Sequence, residues 1–156
     1  MAEFEVSAAD PEVAARFKVI AGTPLLHRIY RTGARQERAS LHLNHSYISL
    51  TLVEANPALL DPANEPWPGG TIHQLSTVGI EVARIIDEVA ARPPSPEEAR
   101  ALGIETGIAV LDIRKTSIDT QNRVVEIANT VLAGDRTELV YTVDLTPWRL
   151  SKNGSR

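Results

Sequence analysis

Apolar and polar positions fall into two short series that repeat at an offset of 85 residues. Residues 10–26 read DPEVAARFKVIAGTPLL, and residues 95–111 read SPEEARALGIETGIAVL. Each copy opens on a residue that caps a helix, Asp10 or Ser95, followed by Pro and then an acid in the first turn. Ser95 and Glu98 also have capping-box spacing. Ala14 with Phe17, and Ala99 with Leu102, mark the inward stripe of a short helix. Gly22 and Gly107 then predict a turn, and a β-rich run follows each. The unit is a short helix, a glycine turn and a strand.

Each unit continues into a hairpin. In the first, a strand over Leu25–Thr32 reaches Gly33 and a second runs over about Arg38–Ile48. Leu41, Leu43, His45 and Tyr47 share one face of that second strand, and His42, Asn44 and Ser46 the other. In the second unit, a strand from Val110 to about Ser117 meets the polar turn Asp119–Asn122. Strand Val124–Ala133 follows, then a turn at Gly134-Asp135 and a final strand over Glu138–Asp144. Two antiparallel hairpins, each preceded by a helix, predict a pseudo-symmetric α+β sheet. Between the halves, Asn56-Pro57 starts a short helix, and Asp61 to Gly70 is a loop. Thr71 reads as the N-cap of a helix over Ile72–Val78 that stops at Gly79. Val82, Ile85, Ile86 and Val89 have helical spacing, so the local pattern makes residues 80–92 a helix. The tail Ser151–Arg156 is polar and reads as disordered.

Composition narrows the class. The 156 residues fit one domain, and 43% are hydrophobic, enough for a core. Only 4% are aromatic, so that core rests on Leu, Ile, Val and Ala. The net charge is −4, and no Lys/Arg cluster offers the surface that neutralises nucleic-acid phosphates. The absence of cysteine excludes disulfides, a Cys-ligated zinc site and a thiol nucleophile, and fits a cytoplasmic setting. The start of the chain lacks the pattern of a signal peptide. No apolar run approaches the roughly 18–20 residues of a membrane span.

The chemistry-bearing residues are few. His42 and His45 face opposite sides of a strand, and no helical His pair exists, so no metal site is expected. No Gly-x-Ser-x-Gly elbow or phosphate-binding loop is present. Gly69-Gly70-Thr71 at a helix start either offers backbone N–H groups to an anion or only makes a turn and a cap. Glu126 lies in the apolar strand Val124–Ala128, on the face of Val124, Ala128 and Thr130. A buried carboxylate there needs a partner, and Arg28, Arg31 and Arg114 are the candidates. The alternative is a structural pair or a solvated edge residue. Arg92, just before Pro93-Pro94, is either a site residue or a solvated loop residue.

These residues together resemble the UTRA effector-binding domain of GntR-type transcriptional regulators of the HutC subfamily. The carrying segments are Gly22 to Arg31, Ser46-Tyr47-Ile48, Gly69 to Ile72, Ala91 to Ala99 with Leu102, Gly107 and Val110 to Arg114, and Arg123 to Glu126. The resemblance covers about residues 8–145, leaving 1–7 as a leading segment and 146–156 as a tail. It implies a chorismate-lyase-like central antiparallel sheet of about six strands with flanking helices, and a ligand cleft between related halves. It also implies that residues 80–92 are largely a strand, against the local pattern, and the expectation follows the resemblance. A small polar or anionic effector is implied, with a homodimer and no cofactor. The effector-binding positions are Arg28, Tyr30, Tyr47, Thr71, His73 and Glu126, with Arg92; the internal repeat adds Arg114. Relatives that take sugar phosphates carry a second arginine where Tyr30 stands, which argues against a phosphosugar here. No winged helix-turn-helix fits in this chain, so it is expected to be a piece of a longer regulator or a stand-alone domain, reaching DNA only through such a domain. The rival readings are a chorismate-lyase-like enzyme, for which no second catalytic group is clear beside Glu126, and a pure dimerisation module.

Overall fold

The computed structural model describes residues 1–33, 40–105 and 107–144. Its six strands are β1 (Ala2–Ala8), β2 (Pro24–Gly33), β3 (Ser40–Ser49), β4 (Val82–Arg92), β5 (Val110–Asp119) and β6 (Val124–Ala133). They form one antiparallel sheet in the order β1-β2-β3-β6-β5-β4. Four short helices accompany them: α1 (Pro11–Phe17), α2 (Leu50–Val53), α3 (Gly70–Ser76) and α4 (Pro96–Leu102). This is the α+β architecture expected from the two hairpin units.

The sheet order reads the same from either edge, and the repeat is visible atom by atom. Asp10 caps α1 through Val13 N–H, and Ser95 caps α4 in a complete capping box with Glu98. Both helices end on a left-handed residue at matching positions, Lys18 (φ 59°, ψ 41°) and Gly103 (φ 60°, ψ 38°). Val19 N–H reaches the Ala14 carbonyl at 3.0 Å, and Ile104 N–H reaches that of Ala99 at 3.1 Å. In the central β3–β6 ladder His45 opposes Asn129. The hairpin registers carry His45 onto Asn129, so the pseudo-twofold axis passes through this pair.

The core follows from this symmetry. One face of the sheet carries both repeat helices. The Val13, Ala14 and Phe17 side chains of α1 bury Leu25 and Ile127, and α4 brings Leu102 onto Leu43, Val110, Val131 and Ala133. The other face is covered by the insertion between β3 and β4. There α2, the single 3-10 turns at Pro57–Leu60 and Pro62–Asn64, and α3 form a lid. Val53, Leu59 and Leu75 of the lid pack with Leu26, Ile48, Ile80 and Val125.

Several local expectations change. Residues 82–92 are strand, as the resemblance implied, and the helical spacing was misleading. In the β4–β5 ladder Ile85 and Ile86 point to opposite faces, and both stay exposed, so no buried stripe selects a period. Glu138–Asp144 forms no strand, because both sides of β6 are already taken by β3 and β5. Thr71 is not the cap of its helix: α3 starts at Gly70, and Gly69 caps it in the left-handed region (φ 81°). A side chain at Gly69 is excluded, since a Cβ there would stand 2.8 Å from that of His73. Residues 1–7, set apart by the sequence as a leading segment, supply most of β1, which pairs with β2 throughout. Arg38 and Ala39, expected to begin β3, lie outside the described residues, as does the tail from 145 onward.

The matched helix ends make a symmetric prediction. A non-glycine residue in the left-handed region costs about 1 kcal/mol. Lys18→Gly is therefore expected to raise unfolding free energy by up to about that amount, and Gly103→Lys to lower it by about as much. Urea denaturation of the two variants measures both.

Candidate functional site

The chemistry concentrates under the lid, where β2, β3, β5, β6 and α3 all contribute polar side chains. Arg28 and Glu126 are 1% and 2% exposed. Ladder pairing puts Arg28 beside Ser46 on β3, and Glu126 between Ile48 and Ser117. The Arg28 guanidinium donates through Nη1 to Gln74 Oε1 at 2.7 Å. Through Nη2 it donates to Ser46 Oγ at 2.7 Å, Glu126 Oε1 at 3.1 Å and Thr71 Oγ1 at 3.2 Å. Ser46 donates to Glu126 Oε1 at 2.8 Å, and Ser117 to Oε2 at 3.1 Å. Lys115 Nζ closes the ring 3.2 Å from Oε2. The rings of Tyr30 and Phe4 flank the guanidinium, with centroids 5.6 and 6.0 Å from its carbon.

Electrostatics holds this cluster in its charged form. Burial by itself pushes the Glu126 carboxyl up, but the Lys115 and Arg28 charges and the Ser46 hydrogen bond outweigh it, and its pKa lies below the ordinary value. Burial pushes the Tyr30 phenol well above its ordinary value; Arg28 opposes this, and the adjacent Glu65 carboxylate reinforces it. Glu65 also ties the lid down. Its Oε1 accepts from Tyr30 Oη at 3.0 Å and from Gln74 Nε2 at 2.7 Å, and its Oε2 from Trp67 N–H at 2.8 Å.

Two buried atoms of this face have no partner among the described residues, Arg28 Nε and Asn44 Oδ1. Arg28 and Asn44 sit on adjacent strands, and Asn44 opposes Tyr30 in the ladder. A cavity of about 230 Å³ opens beside Tyr30 and Glu65, with Pro62 and Pro66 in its wall. The cluster therefore presents one unpartnered donor and one unpartnered acceptor among the described residues, and shares Tyr30 and Glu65 with that cavity.

The remaining residues singled out in the sequence lie elsewhere. Tyr47, Arg92 and Arg114 project from the opposite face of the sheet, where α1 and α4 pack. Tyr47 stacks on His27 at 4.3 Å, and His27 Nε2 lies 3.0 Å from His45 Nδ1. Burial, with the neighbouring His27, lowers the His45 pKa. Arg92 is held by Glu98 through two contacts of 2.7 Å and by Asp112 at 3.0 Å, so it is no solvated loop residue. Arg114 Nε stands 3.6 Å from Asp112. Tyr47, His45, Arg92, Glu98, Asp112 and Arg114 line a second cavity of about 280 Å³ near the pseudo-twofold axis. His73 is exposed on α3, with Nδ1 2.7 Å from the Pro68 carbonyl, and makes no contact with Arg28. Of the three arginines considered for Glu126, only Arg28 reaches it; Arg31 pairs with Glu3 at the sheet edge. Sequence reasoning missed Gln74, Glu65, Asn44 and Lys115. Among the described residues no group of His, Asp or Glu is arranged to hold a metal ion, and no helix is long and apolar enough to cross a membrane.

This fold is that of a ligand-binding regulatory domain. A family model for the UTRA domain matches residues 1–138, and the chain belongs to that family. A curated relative, the HTH-type transcriptional regulator SCO4628 of Streptomyces coelicolor, is 35% identical over 79 residues, which are 50% of this chain and 29% of that protein. The crystal structure of a GntR-family transcriptional regulator is similar with a TM-score of 0.81 and 25% identity, over 94% of this chain and 58% of the other. A transcriptional regulator from Streptomyces coelicolor has a TM-score of 0.81 at 20% identity, over 94% and 93% of the two chains. The effector domain of PhnF from Mycobacterium smegmatis has a TM-score of 0.72 at 18% identity, over 93% and 88%. The chain thus spans 29% of the curated relative and 58% of the first crystallised regulator.

The buried ion pair has a measurable signature. Glu126→Ala strands Arg28 in an apolar interior and is expected to cost about 3–5 kcal/mol of unfolding free energy. A loss under about 1 kcal/mol in chemical denaturation would show that the pair does not hold the lid. Because the folded-state pKa of Glu126 is depressed, its contribution is complete above the ordinary value of 4.5 and is lost as pH falls through the lower folded value. The acid limb of a stability–pH profile should accordingly flatten in Glu126→Gln.

Proposed function

We propose that this chain senses a small polar or anionic metabolite under the lid, as the effector domain of a GntR-type regulator of the HutC subfamily. It works as a homodimer in the cytoplasm, catalyses no reaction and uses no metal or cofactor. The observation that carries this reading is the buried Arg28–Glu126 cluster with its free Arg28 Nε donor and free Asn44 Oδ1 acceptor. A polar ligand offers partners to both atoms, which in its absence stand desolvated at a cost. The site comprises Arg28, Tyr30, Thr71 and Glu126 from the sequence, joined by Asn44, Glu65, Gln74 and Lys115. Tyr47, Arg92 and Arg114, across the sheet, and the exposed His73 take no part.

The geometry supports a switch as well as a site. Arg28 and Glu126 sit on the rigid sheet, whereas Thr71 and Gln74, which also bind Arg28, belong to α3. A ligand that takes over those donor positions releases α3, and the Glu65 contacts to Tyr30 and Gln74 set the resistance to that release. Binding shifts the lid only to the extent that its two positions differ in affinity for the ligand. In the whole regulator a winged helix-turn-helix domain reads DNA and receives this shift. The similar solved proteins named as GntR-family regulators, and the one named as an effector domain, support the same reading.

A thermal-shift screen of carboxylate, amine and polyol metabolites, followed by calorimetry, tests the site. Arg28→Lys, which keeps the charge but loses the orphan Nε, and Asn44→Ala are each expected to weaken the best hit about tenfold, or 1.4 kcal/mol. A hit indifferent to both but lost in Arg114→Ala would move the site to the opposite face. Release of pyruvate from chorismate by the purified chain would overturn the non-enzymatic reading.

A further inference from the structure

The two repeat helices each pack on their own half of the sheet, α1 on Leu25 and Ile127, α4 on Leu43, Val110 and Val131. The strip between them, along the pseudo-twofold axis, carries the cavity of about 280 Å³. That is the space of about nine waters, room for a small amino acid and too little for a nucleotide. We propose that this cavity is a second ligand site, separate from the cluster under the lid, and that it takes a small zwitterion of the α-amino acid class. Arg114 receives the carboxylate of that ligand and Glu12 its ammonium group. The site lies on the opposite face of the sheet from Arg28 and stands independently of the function proposed there.

The charges in the wall select this ligand. Glu12, from the first turn of α1, and Arg114, from β5, line one cavity without pairing with each other. Among the described residues the Glu12 carboxylate has no ion pair or hydrogen bond, and Arg114 meets only Asp112. That approach, at 3.6 Å, engages Arg114 Nε and leaves both terminal nitrogens for the paired N–H contacts that hold a carboxylate. Asp112 is 5% exposed and is itself fixed by Arg92 at 3.0 Å, so the Arg114 guanidinium rests on a carboxylate that is held in place. Arg92 is already committed to Glu98, Asp112 and the Pro93 carbonyl. The Asn129 carbonyl oxygen accepts from Arg16 at 2.7 Å, while its amide N–H groups have no partner among the described residues. A simple anion is repelled by Glu12, Glu98 and Asp112, and a simple cation by Arg114. A molecule carrying both charges meets an opposite charge at each end. Tyr47 and Val131 supply apolar wall for its side chain.

Calorimetric titration with the twenty proteinogenic L-amino acids, each alone, tests this, with acetate and methylamine as probes of one charge each. At least one amino acid is expected to bind, and both single-charge probes about tenfold more weakly or not at all. Glu12→Gln and Arg114→Gln are each expected to weaken that amino acid about tenfold or more, whereas Arg28→Lys leaves it within about twofold. Glu12 and Arg114 are exposed, so neither exchange opens the core, and circular dichroism verifies the fold of each variant. No binding by any amino acid up to about 10 mM overturns the proposal, as does binding that survives both exchanges. Binding lost in Arg28→Lys and kept in Arg114→Gln also overturns it, by assigning the ligand to the cluster under the lid.

Discussion

The buried Arg28–Glu126 pair is the constraint on which the rest of the structure turns. It joins β2 to β6 across β3, and its spare hydrogen-bonding capacity recruits Ser46, Ser117, Lys115, Gln74 and Thr71. Two desolvated charges in a small sheet protein are expensive unless every remaining donor and acceptor is met. Nearly every one is met here; among the described residues Arg28 Nε is left without a partner.

The pseudo-twofold architecture explains why the cluster sits where it does. Duplicating a strand–helix–hairpin unit yields a palindromic sheet with both helices on one face. The opposite face is left to whatever follows each hairpin. After the first hairpin the chain supplies the lid, which covers β2, β3 and β6. After the second, residues 134–144 supply no matching cover. The cluster thus straddles the symmetry axis, with members on β2, β3, β5 and β6, while β4 at the far edge is exposed among the described residues.

Much of this was legible along the chain. The paired caps, Pro at the first helical position and glycine turns specify both repeat helices by local hydrogen bonding and backbone freedom, and they appear as read. Apolar and polar alternation placed β2, β3, β5 and β6 to within a few residues. Glu126 stood out because a carboxylate within an apolar strand demands a partner. The lid residues Glu65 and Gln74 gave no such signal, since a glutamate in a proline-rich loop and a glutamine on a short helix are ordinary surface residues until the lid folds over. Lys115 was hidden likewise, one position from the arginine that drew attention.

What the sequence by itself determined is therefore local: helix ends, turns, strand periods and the duplication, each set by interactions within a few residues. The tertiary structure decided what depends on neighbours distant in the chain. It made 82–92 a strand, because β5 offered a ladder and no helix face had a core to fill. It left 138–144 unpaired, because β6 was enclosed on both sides. It chose Arg28 over Arg31 and Arg114, because strand parity and register put only Arg28 on the face of Glu126 beneath the lid. Register is a property of paired strands, and it alone separated one set of charged residues into two faces with different chemistry.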